Sequence, residues 1–541
     1  MHWNVADIFE TVVDAVPAAR EALVEYGHGG QRRFTFEELE ARANRLAHHF
    51  LAQGVQPGDH VGFYLYNSAE LLETHLAAWK IRAVPINVNY RYVEDELRYL
   101  FDNADLVAIV HGREFAPRIA AVLPSCPKLT TLVAVADGTD ADLAPIGSVP
   151  YDDAIAAQSS DRTGFPERSG DDQYVLYTGG TTGMPKGVMW RQEDFFNATL
   201  RPLMALSQTA GPEPGDQAVA ARDQGGNLCS FPLPPLMHGA AQWAAIISLL
   251  RGDRLVLSSA RRFDPLTIWR IVAAEGVNVV TIVGDAMGRP LIEALDGPAG
   301  GHDTSSLLLI GSGGAILSPA VKEEIAARLP NVLIGDSLGA SETGYQGSLQ
   351  GTDKEGHPRF LMDADTTVLD DDGHPVTPGD GVVGRLARTG AIPLGYYKDA
   401  EKTAATFVEY GGRRWVLPGD MAIAEADGTI TLLGRGSVSI NSGGEKIFPE
   451  EVESVLKAHA DIFDAVVVGV PDSTWGERVV AVVKPRDGAT LELPEIVTFA
   501  KAHLASYKLP RGLVVVDEVV RSPSGKADYR WAKSVATDAP T

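Results

Sequence analysis

The sequence predicts an α/β protein of at least two domains, and three observations carry that prediction. Strand-like and helix-like stretches alternate through the first part of the chain. A loop rich in glycine and threonine follows an apolar run at residues 174–177, and parallel sheets bind ligands beyond the carboxyl ends of their strands. The 541 residues exceed what one ordinary core organises, and the C-terminal portion has a strand and helix pattern of its own.

The elements follow in order. Residues 35–53 read as a helix: Thr35 caps it, Glu38 completes a capping box, and Leu39, Ala43, Leu46, Ala47 and Phe50 form one apolar stripe ended by Gly54. A strand at 61–66, a helix at 69–81 and a strand at 84–88 make a βαβ unit, which requires a parallel sheet. A helix at 94–103 and a strand at 108–110 continue the alternation, and the polar stretch 137–170 reads as a surface excursion. The apolar run 239–250 reads as a buried helix entered through the proline-rich segment 230–239. Strands are expected at 279–283 and 307–310, each ending in glycine. Beyond Pro449, which opens a helix in its first turn, strands at 465–470, 479–483 and 513–516 and a helix at 493–504 form a small α/β domain.

Composition excludes several classes of function. A net charge of −24 argues against general nucleic-acid binding and against anionic membrane surfaces, though a local cationic site for a nucleotide is compatible with it. Two cysteines, Cys126 and Cys229, make neither a disulfide framework nor a metal cluster, which fits a reducing compartment. Residues 1–19 mix acids with apolar residues and lack a basic leading segment, so no signal peptide is expected, and the run 239–250 is too short to span a bilayer. The end at 538–541 carries no prenylation or peroxisomal signal. The expectation is a soluble, cytoplasmic protein.

The chemistry is concentrated in the loop Thr178-Gly179-Gly180-Thr181-Thr182-Gly183-Met184-Pro185-Lys186. Glycine lets backbone approach a ligand, successive N–H groups make an anion-binding concavity, threonine adds hydroxyl donors and Lys186 a full positive charge. These properties suit the phosphates of a nucleotide. The pattern is not the common NTPase P-loop, because a proline precedes the lysine and a glycine follows it. A flexible surface loop is the plain alternative.

The string resembles the phosphate loop of the adenylate-forming enzymes, the acyl-CoA synthetases, adenylation domains and luciferases. Further motifs along the chain carry the same resemblance in the same order. Residues 336–344, with Asp336, Ser337, Leu338, Ser341 and Glu342, are similar to the family's adenine and magnesium motif. Leu338 replaces the aromatic that normally stacks on adenine, and Ser341 keeps the hydroxyl of the usual threonine. Asp420 and Arg435 resemble the pair that binds ribose, and Gly313, Gly314 and Ala315 the segment that contributes to the adenine site. Ser437 stands at the hinge, where Asp or Lys is usual. Gly443 and Gly444 match the turn beside the pantetheine tunnel, and Lys526 ends the Ser-Gly-Lys motif whose lysine serves adenylation.

The resemblance implies a large N-terminal domain of layered α/β sheets, residues 1–434, a hinge at 435–437, and a small mobile C-terminal α+β domain at 438–541. It implies ATP, Mg²⁺ and CoA, with Glu342 and Thr182 toward the metal, and Lys526, Glu342 and His238 in catalysis. His238, Gly239, Trp243, Gly284 and Gly311 are expected around an apolar acyl pocket, although tight helix–sheet packing also favours small residues. Gly239 stands where amino-acid adenylation domains have an Asp for the substrate ammonium, which argues against an α-amino acid. Residues 188–191, 434–453 and 522–533 look like the actinobacterial steroid side-chain and fatty-acyl-CoA ligases, so the expected substrate is a bulky or long apolar acid. The resemblance brings small-molecule partners and admits a homodimer. Two rivals stand beside this reading: an acyl-AMP ligase that loads a carrier protein, and a non-catalytic nucleotide- or acyl-binding homologue.

Overall fold

The fold was described from a computed structural model of the whole chain. It describes residues 3–178, 184–205, 211, 213–296, 301–315, 317–353, 357–442, 445–472, 475–522 and 525–539. Backbone contacts divide the chain into two compact units, Met1–Thr281 with His302–Leu307 and Ala391–Ala405, and Ile282–Gly301 with Leu308–Gly390 and Thr406–Thr541.

The first unit contains an eight-stranded sheet in the order Gly395–Tyr396, Lys186–Arg191, Gln173–Thr178, Val84–Asn87, His60–Tyr64, Leu106–Gly112, Thr131–Val135, Val149–Pro150. The six strands from Gln173–Thr178 onward pair in parallel, and Lys186–Arg191 turns back antiparallel on Gln173–Thr178. Parallel strands need covered faces, and the chain supplies the cover between them. The helix Phe36–Ala52 has the expected capping box, with Glu38 N–H donating to Thr35 Oγ1 at 3.1 Å and Thr35 N–H to the Glu38 carboxylate at 2.8 Å. Its stripe of Leu39, Ala43, Leu46, Ala47 and Phe50 is fully buried. The helices Ala69–Lys80 and Glu94–Asn103 lie where the periodicity places them. A second group of strands in this unit runs Gly30–Thr35, Glu21–Gly27, Arg254–Ser258, Cys229–Pro232, Val279–Ile282.

The stretch 137–170 differs from its expected surface excursion. Val149–Pro150 adds an edge strand beside Thr131–Val135, and the short helix Tyr151–Ala156 buries Tyr151, Ala154 and Ile155, with Tyr151 donating to the Glu73 carboxylate. Three apolar anchors within a polar stretch give too little periodicity to be seen, yet suffice once a sheet edge is available.

In the second unit, Leu309–Gly313 and Leu333–Ala340 pair in parallel, and the chain continues antiparallel through Gly344–Thr352, Pro358–Met362, Thr429–Arg435, Asp420–Ala424 and Val383–Arg388. The strand expected at 307–310 begins two residues later and runs to Gly313. No strand end continues past Val279–Ile282, because the helix Gly284–Asp296 starts at once. A five-stranded sheet follows, built on the long hairpin Ile462–Asp472 and Gly476–Pro485. Its side chains alternate between two cores: Ala465 and Val467 pack with Val452, Leu456 and Ile496, whereas Val466, Val468 and Val470 pack with Ala532 and Ala536. Both faces are therefore covered, by the helices Pro449–Lys457 and Leu493–Lys501 on one side and Tyr529–Asp538 on the other.

The first unit also holds a fully buried cation. Lys80 donates to Glu10 at 2.6 Å and to Glu40 at 2.8 Å. Burial acts to raise the Glu10 carboxyl, but the Arg168 hydrogen bond and the Lys80 charge outweigh it and leave the group below its ordinary value. Removing one partner of such a network leaves uncompensated charge inside. Lys80→Met is expected to destabilise the unit by about 3 kcal/mol, measured as a lower midpoint in urea unfolding; an unchanged midpoint would show the pair to be energetically neutral.

Candidate active site

In the first unit, Thr178 ends its strand and sits directly opposite Lys186 across the antiparallel pair, so the two flank the glycine-rich loop. Gly179, Gly180, Thr181, Thr182 and Gly183 lie outside the described residues. Lys186 donates to Asp399 Oδ2 at 2.6 Å, and its ammonium lies 5.9 Å from the centre of the Tyr396 ring. That hydrogen bond holds the Asp399 carboxyl below its ordinary value. Asp399 is 213 positions away in sequence and carried no signal there.

Two asparagines, also unforeseen, fix the neighbouring backbone. Asn87 ends the strand Val84–Asn87 and donates to the carbonyls of Tyr177 and Met237, both at 2.7 Å, while accepting from Tyr177 N–H at 2.7 Å. Asn67 accepts from Leu236 N–H at 2.7 Å and donates to Pro234 at 3.2 Å. The proline-rich segment has few N–H groups for regular pairing, so side-chain amides do that work and tie it to the strand Gln173–Thr178 that precedes the glycine-rich loop.

That segment delivers His238 to the N-cap of the helix Gly239–Leu250. His238 is half-buried, and its carbonyl accepts from Gln242 N–H at 3.0 Å. Gly239 is a close-packing position, since a Cβ there would sit 3.0 Å from Leu176 and 3.1 Å from Trp243. The Trp243 indole donates to Tyr174 Oη at 3.1 Å and lies against Phe195, so its ring is pinned in a buried aromatic cluster.

The second unit carries the remaining residues. Gly284 opens its helix with φ +55° and donates to Ser312 Oγ at 3.2 Å. Gly311 and Gly313 lie on the strand Leu309–Gly313, Gly314 turns away with φ +87° and open space around it, and Ala315 follows half-buried. On the adjacent strand, Asp336 accepts from Lys322 at 2.8 Å; burial raises its carboxyl against that cation. Ser337 donates to the Ser312 carbonyl at 3.3 Å. Leu338 packs onto the cluster of Phe360, Val368 and Ile430, so its departure from an aromatic residue is accommodated by core packing.

Four charged residues then converge. Asp420 begins one strand and Arg435 ends its neighbour, directly opposite each other, with Arg435 Nε 3.4 Å from Asp420 Oδ1. The Asp420 charge is the main reason that the Arg435 guanidinium is held above its ordinary value, with Glu342 adding to it. Ser341 and Glu342 stand in the turn after Leu333–Ala340, where Thr343 Oγ1 accepts from Ala340 N–H at 2.9 Å. Lys526 keeps solvent access, yet the surrounding protein and the Arg435 charge lower its ammonium from the ordinary value while Glu342 and Asp420 oppose that shift. Ser437 is exposed in the short turn Gly436–Val438, whose first N–H donates to the Gly419 carbonyl at 3.0 Å. Gly443 and Gly444 lie outside the described residues.

Comparison with known proteins matches the chain to a family. A model described as AMP-binding enzyme matches residues 9–397, and one described as AMP-binding enzyme C-terminal domain matches residues 451–526. The chain belongs to the AMP-binding enzyme family. This AMP-binding enzyme is 50% identical to a 3-oxocholest-4-en-26-oate–CoA ligase of Rhodococcus rhodochrous, over 98% of the chain and 96% of that protein. It is 49% identical to a medium/long-chain-fatty-acid–CoA/3-oxocholest-4-en-26-oate–CoA ligase of Mycobacterium marinum, again over 98% and 96%. Among solved structures, the ATP-bound MatB of Rhodopseudomonas palustris superposes with a TM-score of 0.80 at 24% identity, covering 99% of both chains. The anthranilate CoA ligase AuaEII in complex with anthranoyl-AMP superposes with a TM-score of 0.83 at 22% identity, covering 99% of this chain and 98% of that one. The adenylate-forming fold expected from the motifs is thus the fold observed. Among the described residues, no helix is long and apolar enough to cross a membrane.

One carboxyl beside this cluster was not anticipated. Glu450, in the first turn of Pro449–Lys457, accepts from Arg435 N–H at 3.3 Å, and a Cβ on Gly434 would sit 2.5 Å from its Oε2. Burial, then the nearby Glu453 charge, pushes its carboxyl up to about 8. The folded state therefore holds this proton more tightly than the unfolded chain. The resulting stabilisation is complete below the ordinary value of 4.5 and is lost as pH rises through about 8. Glu450→Gln, an uncharged isostere, is expected to remove that loss, so a thermal unfolding series across this pH window should be flatter for the variant than for the parent; equal slopes would refute the assignment.

Proposed function

We propose that this protein is an ATP-dependent acyl-CoA ligase whose acid is bulky and apolar, a long-chain fatty acid or a steroid side-chain acid. The observation that carries the reading is the convergence of Lys526, Glu342, Asp420 and Arg435 at the ends of adjoining elements. The relatives named for 3-oxocholest-4-en-26-oate and for medium/long-chain fatty acids support the choice of acid.

The reaction begins with attack of the substrate carboxylate on the α-phosphorus of ATP, which forms acyl-AMP and expels pyrophosphate. Catalysis then consists of alignment and of neutralising negative charge as it develops. Asp420 accepts from the ribose hydroxyls, and Arg435 holds that carboxylate in place through the ion pair between them. Lys526 presents its ammonium to the carboxylate and α-phosphate. Lys186 and the loop after Thr178 face the outer phosphates, and the Asp399 carboxylate holds Lys186 until the anion arrives. Gly313, Gly314, Ala315, Asp336, Ser337 and Leu338 border the adenine, and His238, Gly239, Trp243, Gly284 and Gly311 the acyl chain.

The donor set also fits Mg²⁺, a hard cation that takes few protein carboxylates together with phosphate oxygens and water. Glu342 supplies a carboxylate in the same field as Arg435 and Lys526, and Thr182 a hydroxyl from the phosphate loop. When bound, the ion would neutralise phosphate charge.

In the second half-reaction the CoA thiolate attacks the acyl carbonyl, releasing AMP and leaving the thioester. Lys526 has no part in that step. Rotation of residues 438–541 about Ser437 and its neighbours withdraws it and brings Gly443 and Gly444 to the pantetheine arm, a division of labour by domain motion. The site of action is the cytoplasm.

The experiment measures AMP and acyl-CoA formation with ATP, Mg²⁺ and CoA over acids graded from short fatty acids to steroid side-chain acids. Turnover should peak at the bulky acids and require CoA. Lys526→Ala should slow acyl-AMP formation about 100- to 1000-fold while leaving thioester formation from supplied acyl-AMP intact. Acyl-AMP accumulating with no effect of CoA would identify a carrier protein as acceptor, and full adenylation by Lys526→Ala would overturn the assigned mechanism.

A further inference from the structure

The turn that bears Lys526 is built around a half-buried guanidinium. Arg521 chelates Asp464, Nε to Oδ2 at 2.7 Å and Nη2 to Oδ1 at 2.7 Å, and its Nη1 donates to the carbonyl of Gly525 at 3.0 Å. That carbonyl immediately precedes Lys526. The same turn is closed by Ser522 N–H donating to the Lys526 carbonyl at 2.8 Å and by Lys526 N–H donating to Ser522 Oγ at 3.2 Å. All three nitrogens of the Arg521 guanidinium therefore donate, two to one carboxylate and one to a backbone oxygen, an arrangement that lysine cannot reproduce.

The chain of charges extends beyond this turn. Asp464 also faces Lys457, whose ammonium is 3.8 Å from Oδ1, and Lys457 lies 3.6 Å from Oδ2 of Asp285. Asp285 stands in the first turn of the helix Gly284–Asp296 and is itself fixed, accepting from Ser318 N–H at 2.8 Å. The side chains of Lys457 and Asp285 are 8% and 6% exposed, so the contact is shielded from screening by solvent. Arg289, one turn along that helix, donates to the Lys457 carbonyl at 3.2 Å. Gly525 packs against the residue just before the helix: its φ is +72°, and a Cβ would stand 2.8 Å from Val283 Cγ1.

We infer that the relay Asp285–Lys457–Asp464–Arg521 docks the C-terminal sheet on the helix Gly284–Asp296 and sets the position of Lys526 for acyl-AMP formation, with Arg521 as the positioning residue. Arg521 and Asp464 hold the shape of the lysine turn. Lys457 and Asp285 hold that turn against the helix. The relay serves the first half-reaction alone, since the second proceeds after Lys526 has left. The inference rests on the role of Lys526 proposed above.

The test separates the two half-reactions in the full-length enzyme, with the acid selected by the panel. Acyl-AMP formation is followed by pyrophosphate exchange into ATP, and thioester formation by supplying the acyl-AMP with CoA. Arg521→Lys, Arg521→Gln and Asp285→Asn are compared with Lys526→Ala, and a melting curve verifies that each variant is folded. The expected result for both Arg521 variants is a loss of about 100-fold in the exchange rate, the scale of a misplacement near 1 Å, with KM for ATP and thioester formation unchanged. Asp285→Asn, which preserves shape and removes the charge, should lower exchange in the same selective way. Selective loss in Lys526→Ala with normal exchange in the Arg521 and Asp285 variants would overturn the relay while leaving the lysine's role standing. Normal exchange in Lys526→Ala would remove the reading on which the relay rests. Parallel loss of both half-reactions with a lowered melting point would show the chain of charges to be structural alone.

Discussion

Asp420 and Arg435 face each other from the ends of two antiparallel strands, and the charged half of the site in the second unit is arranged around that pair. The Asp420 charge is the main cause that holds the Arg435 guanidinium above its ordinary value, so the two side chains sit as a charge pair in a partly enclosed place. Once the pair is set by strand register, Glu342 can bring a second negative charge and Lys526 a second positive one without leaving any of them alone. The cost of burying charge is thereby shared among neighbours.

The same economy of pairing appears at the neutral carboxyl of Glu450. Crowded by burial and by Glu453, it is held protonated well into the neutral range, and it accepts from the backbone N–H of Arg435. Gly434 leaves the room for it: with φ +125° and no side chain, it lets the carboxyl reach the backbone, where a Cβ would meet Oε2 at 2.5 Å. The segment that joins the strands of Asp420 and Arg435 to the C-terminal sheet is thus bounded by an acid, a glycine and an arginine in direct contact.

In the first unit, amides as well as charges do the positioning. Asn67 and Asn87 hold the proline-rich segment before His238, and Asn87 also holds the strand end before the glycine-rich loop. Asn87 thus ties the strand before the loop and the segment before the helix Gly239–Leu250 to one parallel strand, Val84–Asn87. The small residues of that helix, read as a cavity or as close packing, are at Gly239 a matter of close packing against Leu176 and Trp243.

By itself the sequence determined the class of fold, the helix Phe36–Ala52 with its capping box and the alternation of the parallel sheet, and its motifs singled out Lys186, Glu342, Asp420, Arg435 and Lys526 as candidates for the chemistry. These are legible because they depend on local spacing: periodicities of two and of 3.6, caps three residues apart, and motifs of a few consecutive residues. Tertiary structure alone decided the partners. Asp399 meets Lys186 from 213 positions away, and Arg521 chelates Asp464 from 57 away, separations over which no spacing rule operates. It likewise decided that the polar stretch around Val149–Pro150 joins a sheet edge and that Glu450 stays protonated, since burial and the sum of neighbouring charges belong to the folded chain and not to any segment of it.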